Sequence, residues 1–109
     1  MRKISEQVAE AFRNGECKKF GNTTVEYDPM GCLVVKLFGN PIAKKTDFHT
    51  LYSTCGYRTN TTRDRLTALI GGSVSFAKGE CRIRGVEVKN DHLWFEAPTG
   101  WEEVELKGY

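Results

Sequence analysis

Arg58, Arg63 and Arg65 fall within eight residues of one another and alternate with Thr59, Thr61 and Thr62. Arginines and hydroxyls crowded at the start of a helix are suited to holding an anion. The first backbone N–H groups of a helix have no intrahelical acceptor, the dipole is positive there, and guanidinium groups add charge-assisted hydrogen bonds. The same residues also suit a plainer task, in which threonines cap the helix and Arg63 lays its aliphatic stem over a sheet edge. Caps occur in most helices and anion sites in few, which favours the plainer task. A second basic group, Arg82 and Arg84 with Lys89 nearby, reads as one face of a hairpin. Trp94, Phe95 and Trp101 bring aromatic surface toward the C-terminus. In a strand Trp94 and Phe95 point to opposite faces, so one of them is expected outside the core, where it would mark a contact surface or a dimer interface. The candidate binding residues are therefore Arg58, Thr59, Thr61, Thr62, Arg63, Arg65, Arg82, Arg84, Trp94 and Trp101.

Covalent and metal chemistry find less support. Cys17, Cys32, Cys55 and Cys81 stand 15, 23 and 26 positions apart, with no C-x-x-C pair, and neither His49 nor His92 completes a ligand set. Free thiols packed as small apolar groups are the expectation, with no metal and no cofactor. Cys55, His49, Asp64 and His92 make no recognised nucleophile–base arrangement, so the chain does not read as an enzyme.

The elements that position these residues follow from periodicity. Residues 3–14 predict an amphipathic helix, with Ile4, Val8, Ala11 and Phe12 at helical spacing and Asn14-Gly15 as its stop. A basic connector then leads to Thr23. Strands are predicted at 23–27, 32–38, 42–44 and 48–54, with Asp28-Pro29-Met30-Gly31 and Gly39-Asn40-Pro41 as turns. A second helix is predicted over 61–70. Thr61 is its N-cap, Asp64 completes a capping-box-like pair, and Thr62, Leu66, Leu69 and Ile70 form its buried stripe. Arg63 and Arg65 lie on opposite borders of that stripe, with Asp64 pointing outward. Strands at 73–77, 80–88, 92–97 and 101–106 complete an α+β order: N-terminal helix, antiparallel strands, short helix, C-terminal strands.

The totals fit one domain over residues 1–109. Hydrophobic residues make up 39% and charged residues 28%, the balance of an ordinary globular chain. No apolar run approaches the roughly 18 residues needed to cross a bilayer. Met1-Arg2-Lys3-Ile4 opens without the apolar block of a secretory signal, so a cytoplasmic location is expected. A net charge of +2 is far below that of a typical non-specific nucleic-acid binder.

Three stretches resemble segments of a group of small bacteriophage proteins. Those proteins carry a leucine-rich strand ending in His-Gly-Asn-x-Ile-Ala, and later Gly-Trp-x-Thr-x-Thr-Thr-x-x-Arg-Leu-Asn. The counterparts here are Leu37-Phe38-Gly39-Asn40-Pro41-Ile42-Ala43 and the segment from Gly56 to Thr67. Gly21-Asn22-Thr23-Thr24-Val25 is similar to the Asn-Thr-x-Val that opens the same module. Phe38 replaces the histidine, Tyr57 the tryptophan and Thr67 the asparagine, so no role of that histidine carries over. The resemblance covers about residues 20 to 70 and implies a phage or prophage origin and a small α+β module, with no activity attached.

Three functions are then ranked. The first is a phage-encoded binding protein that modulates a host protein or ribonucleoprotein complex in the host cytoplasm, including inhibition of a defence complex of the anti-CRISPR kind. The second is a nucleic-acid-binding module built on the arginine-flanked helix start. An enzyme comes third. No membrane partner is expected, and the exposed aromatic surface leaves a homodimer open.

Overall fold

The computed structural model describes residues 2–98 and shows an α+β fold. Helix α1 (Arg2–Asn14) turns Val8, Ala11 and Phe12 inward. It ends where Gly15 takes a φ of 70° and the Glu16 N–H reaches back to the Ala11 carbonyl. A β-branched residue at Gly15 would resist that left-handed turn.

Five antiparallel strands follow as a meander: β1 (Lys18–Phe20), β2 (Thr23–Tyr27), β3 (Leu33–Leu37), β4 (Asn40–Lys45) and β5 (Thr50–Tyr52). Cross-strand pairing sets Val25, Val35, Ala43 and Tyr52 in one row beneath the helices. The opposite face carries charge, with Lys36 paired to Glu26 and Lys44 to Asp28. Asp28 also starts β3: its carboxylate accepts the Met30 and Cys32 N–H groups, closing the turn that its sequence predicts.

Helix α2 (Asn60–Ile70) packs beside α1 and against β4, and Leu66 is fully buried between them. A second antiparallel sheet, β6 (Val74–Ser75), β7 (Cys81–Ile83) and β8 (Val86–Val88), joins the same core through Val74, Cys81 and Ile83.

The departures from expectation have physical causes. Part of the supposed basic connector before Thr23 is edge strand β1, whose lysines suit an exposed edge and hide the strand signal. The single strand expected over 80–88 is two strands. Arg84 and Gly85 both take positive φ, 53° and 81°, making the tight turn that lets Ile83 pair with Val86. The strands expected at 48–54 and 73–77 shrink to β5 and β6. Residues 92–97 make only an isolated bridge, Phe95 to Tyr52. The strand expected at 101–106 lies outside the described residues.

Candidate functional site

The start of α2 is capped two residues earlier than its sequence suggests. Thr59 is the N-cap, in extended conformation, and its hydroxyl accepts the Thr62 N–H at 3.1 Å while its carbonyl accepts the Arg63 N–H at 3.0 Å. The Thr59 and Thr62 hydroxyls bond each other at 3.0 Å. Thr61 therefore lies within the first turn and is not the cap. Asp64 makes no capping box, because its carboxylate accepts the Ser5 hydroxyl on α1 instead.

The arginines divide by fate. Arg65, expected at a stripe border and within reach of an anion, is only 1% exposed. Its guanidinium donates to the Thr23 hydroxyl at 3.0 Å, the Ser5 hydroxyl at 2.7 Å and the Asn22 side-chain oxygen at 3.4 Å, with the Asp64 carboxylate 3.6 Å away. Burial pushes its pKa down, and the Asp64 charge opposes that. Ser5 accepts from Arg65 and donates to Asp64, so one network ties α1, α2 and β2 together.

Arg58 forks onto Asp91, with Nε at 3.0 Å and Nη2 at 2.7 Å, and also donates to the Gly79 carbonyl. Asp91 is 2% exposed and accepts the Thr54 hydroxyl as well. Burial pushes the Asp91 carboxyl up, but hydrogen bonds from Arg58 and Thr54 and the guanidinium charge outweigh it and hold the group below the usual carboxylate range. Arg84 binds the Ile70 carbonyl at the end of α2 and the Pro98 carbonyl, so it does not share a solvated basic face with Arg82. Arg82 pairs with Glu80 at 3.0 Å. Arg63 alone of the first-turn arginines stands in solvent. The anion cradle, the less favoured of the two readings, is therefore not assembled: two of its three arginines, Arg58 and Arg65, hold the fold together, and the Thr59 and Thr62 hydroxyls bond each other.

Trp94 is 40% exposed, while Phe95 is half-buried against the Tyr52 ring. Trp94 thus lies outside the core, although residues 92–97 do not form the strand on which that expectation rested. Trp101 lies outside the described residues. Among the described residues no three His, Cys, Asp or Glu side chains converge in a way that could hold a metal ion. Cys81 is buried, and burial pushes its thiol up to about 11, away from nucleophilic use at neutral pH.

What sequence reasoning did not identify is an apolar groove of about 240 Å³ between the β3–β4 turn and the loop entering α2. Leu37, Ile42, Thr54 and Thr62, all buried, line it together with Phe38, Asn40, Tyr57 and Thr59. No charged side chain contributes. The Ser53 N–H to Ile42 carbonyl bond and the Cys55 thiol donating to the Pro41 carbonyl stitch the two segments together. Phe38 is 71% exposed and Tyr57 56% exposed at this groove. Phe38 also has φ of 51°, because Phe38-Gly39 is the two-residue turn joining Leu37 to its partner Asn40. A bulky residue in the left-handed region costs roughly 1–2 kcal/mol. One signal pointed here: the motif segments 37–43 and 56–67 both reach this groove, though far apart in the chain. Gly39-Asn40-Pro41 by itself signals only turn geometry, and Tyr57 carries no signal beyond its place in the second motif.

The family model described as Kyanoviridae Gp96 protein matches residues 1–104. No curated protein matches the chain, and no solved structure does. Among the described residues no helix is long and apolar enough to cross a membrane.

Proposed function

The chain belongs to the Kyanoviridae Gp96 family, a phage protein family, and on that premise we propose that it acts by binding, without turnover, to a protein or ribonucleoprotein of the host cell. The partner class we favour is a bacterial defence complex, which would make the chain an inhibitor of the anti-CRISPR kind acting in the host cytoplasm. The observation that carries this reading is Phe38: a phenyl ring held in solvent at a left-handed backbone position, beside a second exposed ring, over an apolar groove. Among the described residues nothing in the packing accounts for keeping a large ring at a strained turn, and strain of that kind tends to gather at sites of contact. Aromatic anchors of this type supply most of the energy in protein–protein interfaces, with surrounding charges contributing little.

A nucleic-acid module would rely on the arginines, and Arg58, Arg65 and Arg84 are already engaged inside the fold. The test is affinity capture of the tagged chain from lysate of its bacterial host, with and without nuclease. The expected result is a protein partner that survives nuclease and is lost when Phe38→Gly is used as bait. Loss of every partner on nuclease treatment would overturn the proposal in favour of nucleic acid.

A further inference from the structure

Resting on that reading, the composition of the groove narrows what fills it. At about 240 Å³ it falls below the roughly 300–1,000 Å³ of pockets that enclose drug-sized ligands and cofactors. It exceeds the roughly 150 Å³ that accommodates a benzene ring. One large side chain is the matching size. Its electrostatics match an uncharged one. The lining carries no charge. Arg58, between the lining residues Tyr57 and Thr59 in sequence, is forked onto Asp91 and donates to the Gly79 carbonyl. The Thr54 hydroxyl donates to Asp91, and one of the Thr59 and Thr62 hydroxyls donates to the other. A phosphate or carboxylate entering here would lose its hydration and gain no cation, whereas an apolar ring would lose only unfavourable contact with water. The Asn40 amide and the Tyr57 hydroxyl are uncharged polar groups of the lining that can bond a neighbouring peptide group.

We propose that the groove is an anchor pocket for a single aromatic side chain presented by the partner protein, gripped between Phe38 from the β3–β4 turn and Tyr57 from the loop entering α2. Ring–ring contact on both sides would add to the burial of the incoming side chain. Because the anchor is neutral, salt should leave its affinity almost unchanged, in contrast to a polyanion contact.

The test is an amide and methyl NMR titration of the full chain with N-acetyl-tryptophanamide, and separately with inorganic phosphate, AMP and an oligothymidylate. Expected is saturable, millimolar-range binding of the tryptophan probe, with shifts confined to Leu37, Phe38, Asn40, Tyr57, Thr59 and Thr62. In Phe38→Gly, which keeps the turn geometry, and in Tyr57→Ala, binding should weaken by about tenfold or more. Absence of saturable shifts there, equal binding in both folded variants, or preferential occupation by AMP, phosphate or the oligonucleotide would each overturn the anchor-pocket assignment. The outcome separates from the function proposal. A captured partner whose binding ignores Phe38→Gly sinks the pocket and spares the binding role, while probe binding without any partner does the reverse.

Discussion

At the scale of single residues, two side chains carry the clearest consequences. Arg65 is a buried cation whose donors are satisfied by Ser5, Thr23 and Asn22, with Asp64 as its nearest counter-charge. Arg65→Met removes the cation but strands those acceptors in the interface between both helices and β2. The expected loss is about 3 kcal/mol, read by chemical denaturation, because breaking a buried charge network is far costlier than losing a surface pair. A loss below about 1 kcal/mol would show that the network contributes little to stability. The cap offers a sharper contrast. Thr59→Ala should cost about 1 kcal/mol, whereas Thr61→Ala should stay within about 0.5 kcal/mol. The reverse order would place the cap at Thr61.

These fates show where the sequence stops being legible. Thr59, Thr61 and Thr62 are all competent caps, and Asp64 three residues after Thr61 tips local reasoning toward a capping box. The deciding partner is Ser5, on another helix and 59 positions away. Arg58 and Arg65 are equally opaque: their acceptors lie 21 to 60 positions distant, at Gly79, Asp91 and Ser5 among others, and no local pattern announces them.

At the scale of elements, the helices and β2, β3 and β4 were readable because each has a strong period, a proline or a glycine stop. What escaped were features with weak local signals: the lysine-rich edge strand β1, and the Arg84-Gly85 turn, which lacks the usual Asn-Gly or Asp-Gly pair. The β3–β4 turn is the element on which the proposed function rests. Phe38 sits at a φ of 51° in that turn. Phe38→Gly should therefore leave stability unchanged or raise it by up to about 1 kcal/mol, since glycine takes left-handed backbone without penalty. Thermal and denaturant unfolding of that variant check this. A fall of more than about 1 kcal/mol would mean that the ring supports the fold and is not kept for a partner.

At the scale of the whole molecule, the meander and its two helices join the C-terminal sheet through a shared core and two arginine clasps. Arg58 holds Asp91 and Gly79, and Arg84 holds the end of α2 and Pro98. The first clasp is sensitive to acid. Asp91 titrates below its ordinary value in the fold, so its stabilising contribution is complete above the unfolded carboxylate value of about 3.9 and is lost as pH falls through the lower folded value. Stability measured against pH should therefore fall on the acid side below about pH 4, and Asp91→Asn should flatten that part of the curve while lowering stability at neutral pH. An acid limb of the same steepness in Asp91→Asn would assign the dependence to other carboxylates.

The central claim is that this chain works through an uncharged aromatic groove and not through its arginines. The most direct measurement is the affinity of the purified, nuclease-treated partner for the wild-type chain, Phe38→Gly and Arg63→Glu, all verified as folded. The account predicts at least about a tenfold loss for Phe38→Gly and little change for Arg63→Glu, whose side chain is the exposed arginine of the α2 start. A large loss for Arg63→Glu with an unchanged Phe38→Gly would contradict it and return the site to the helix N-terminus.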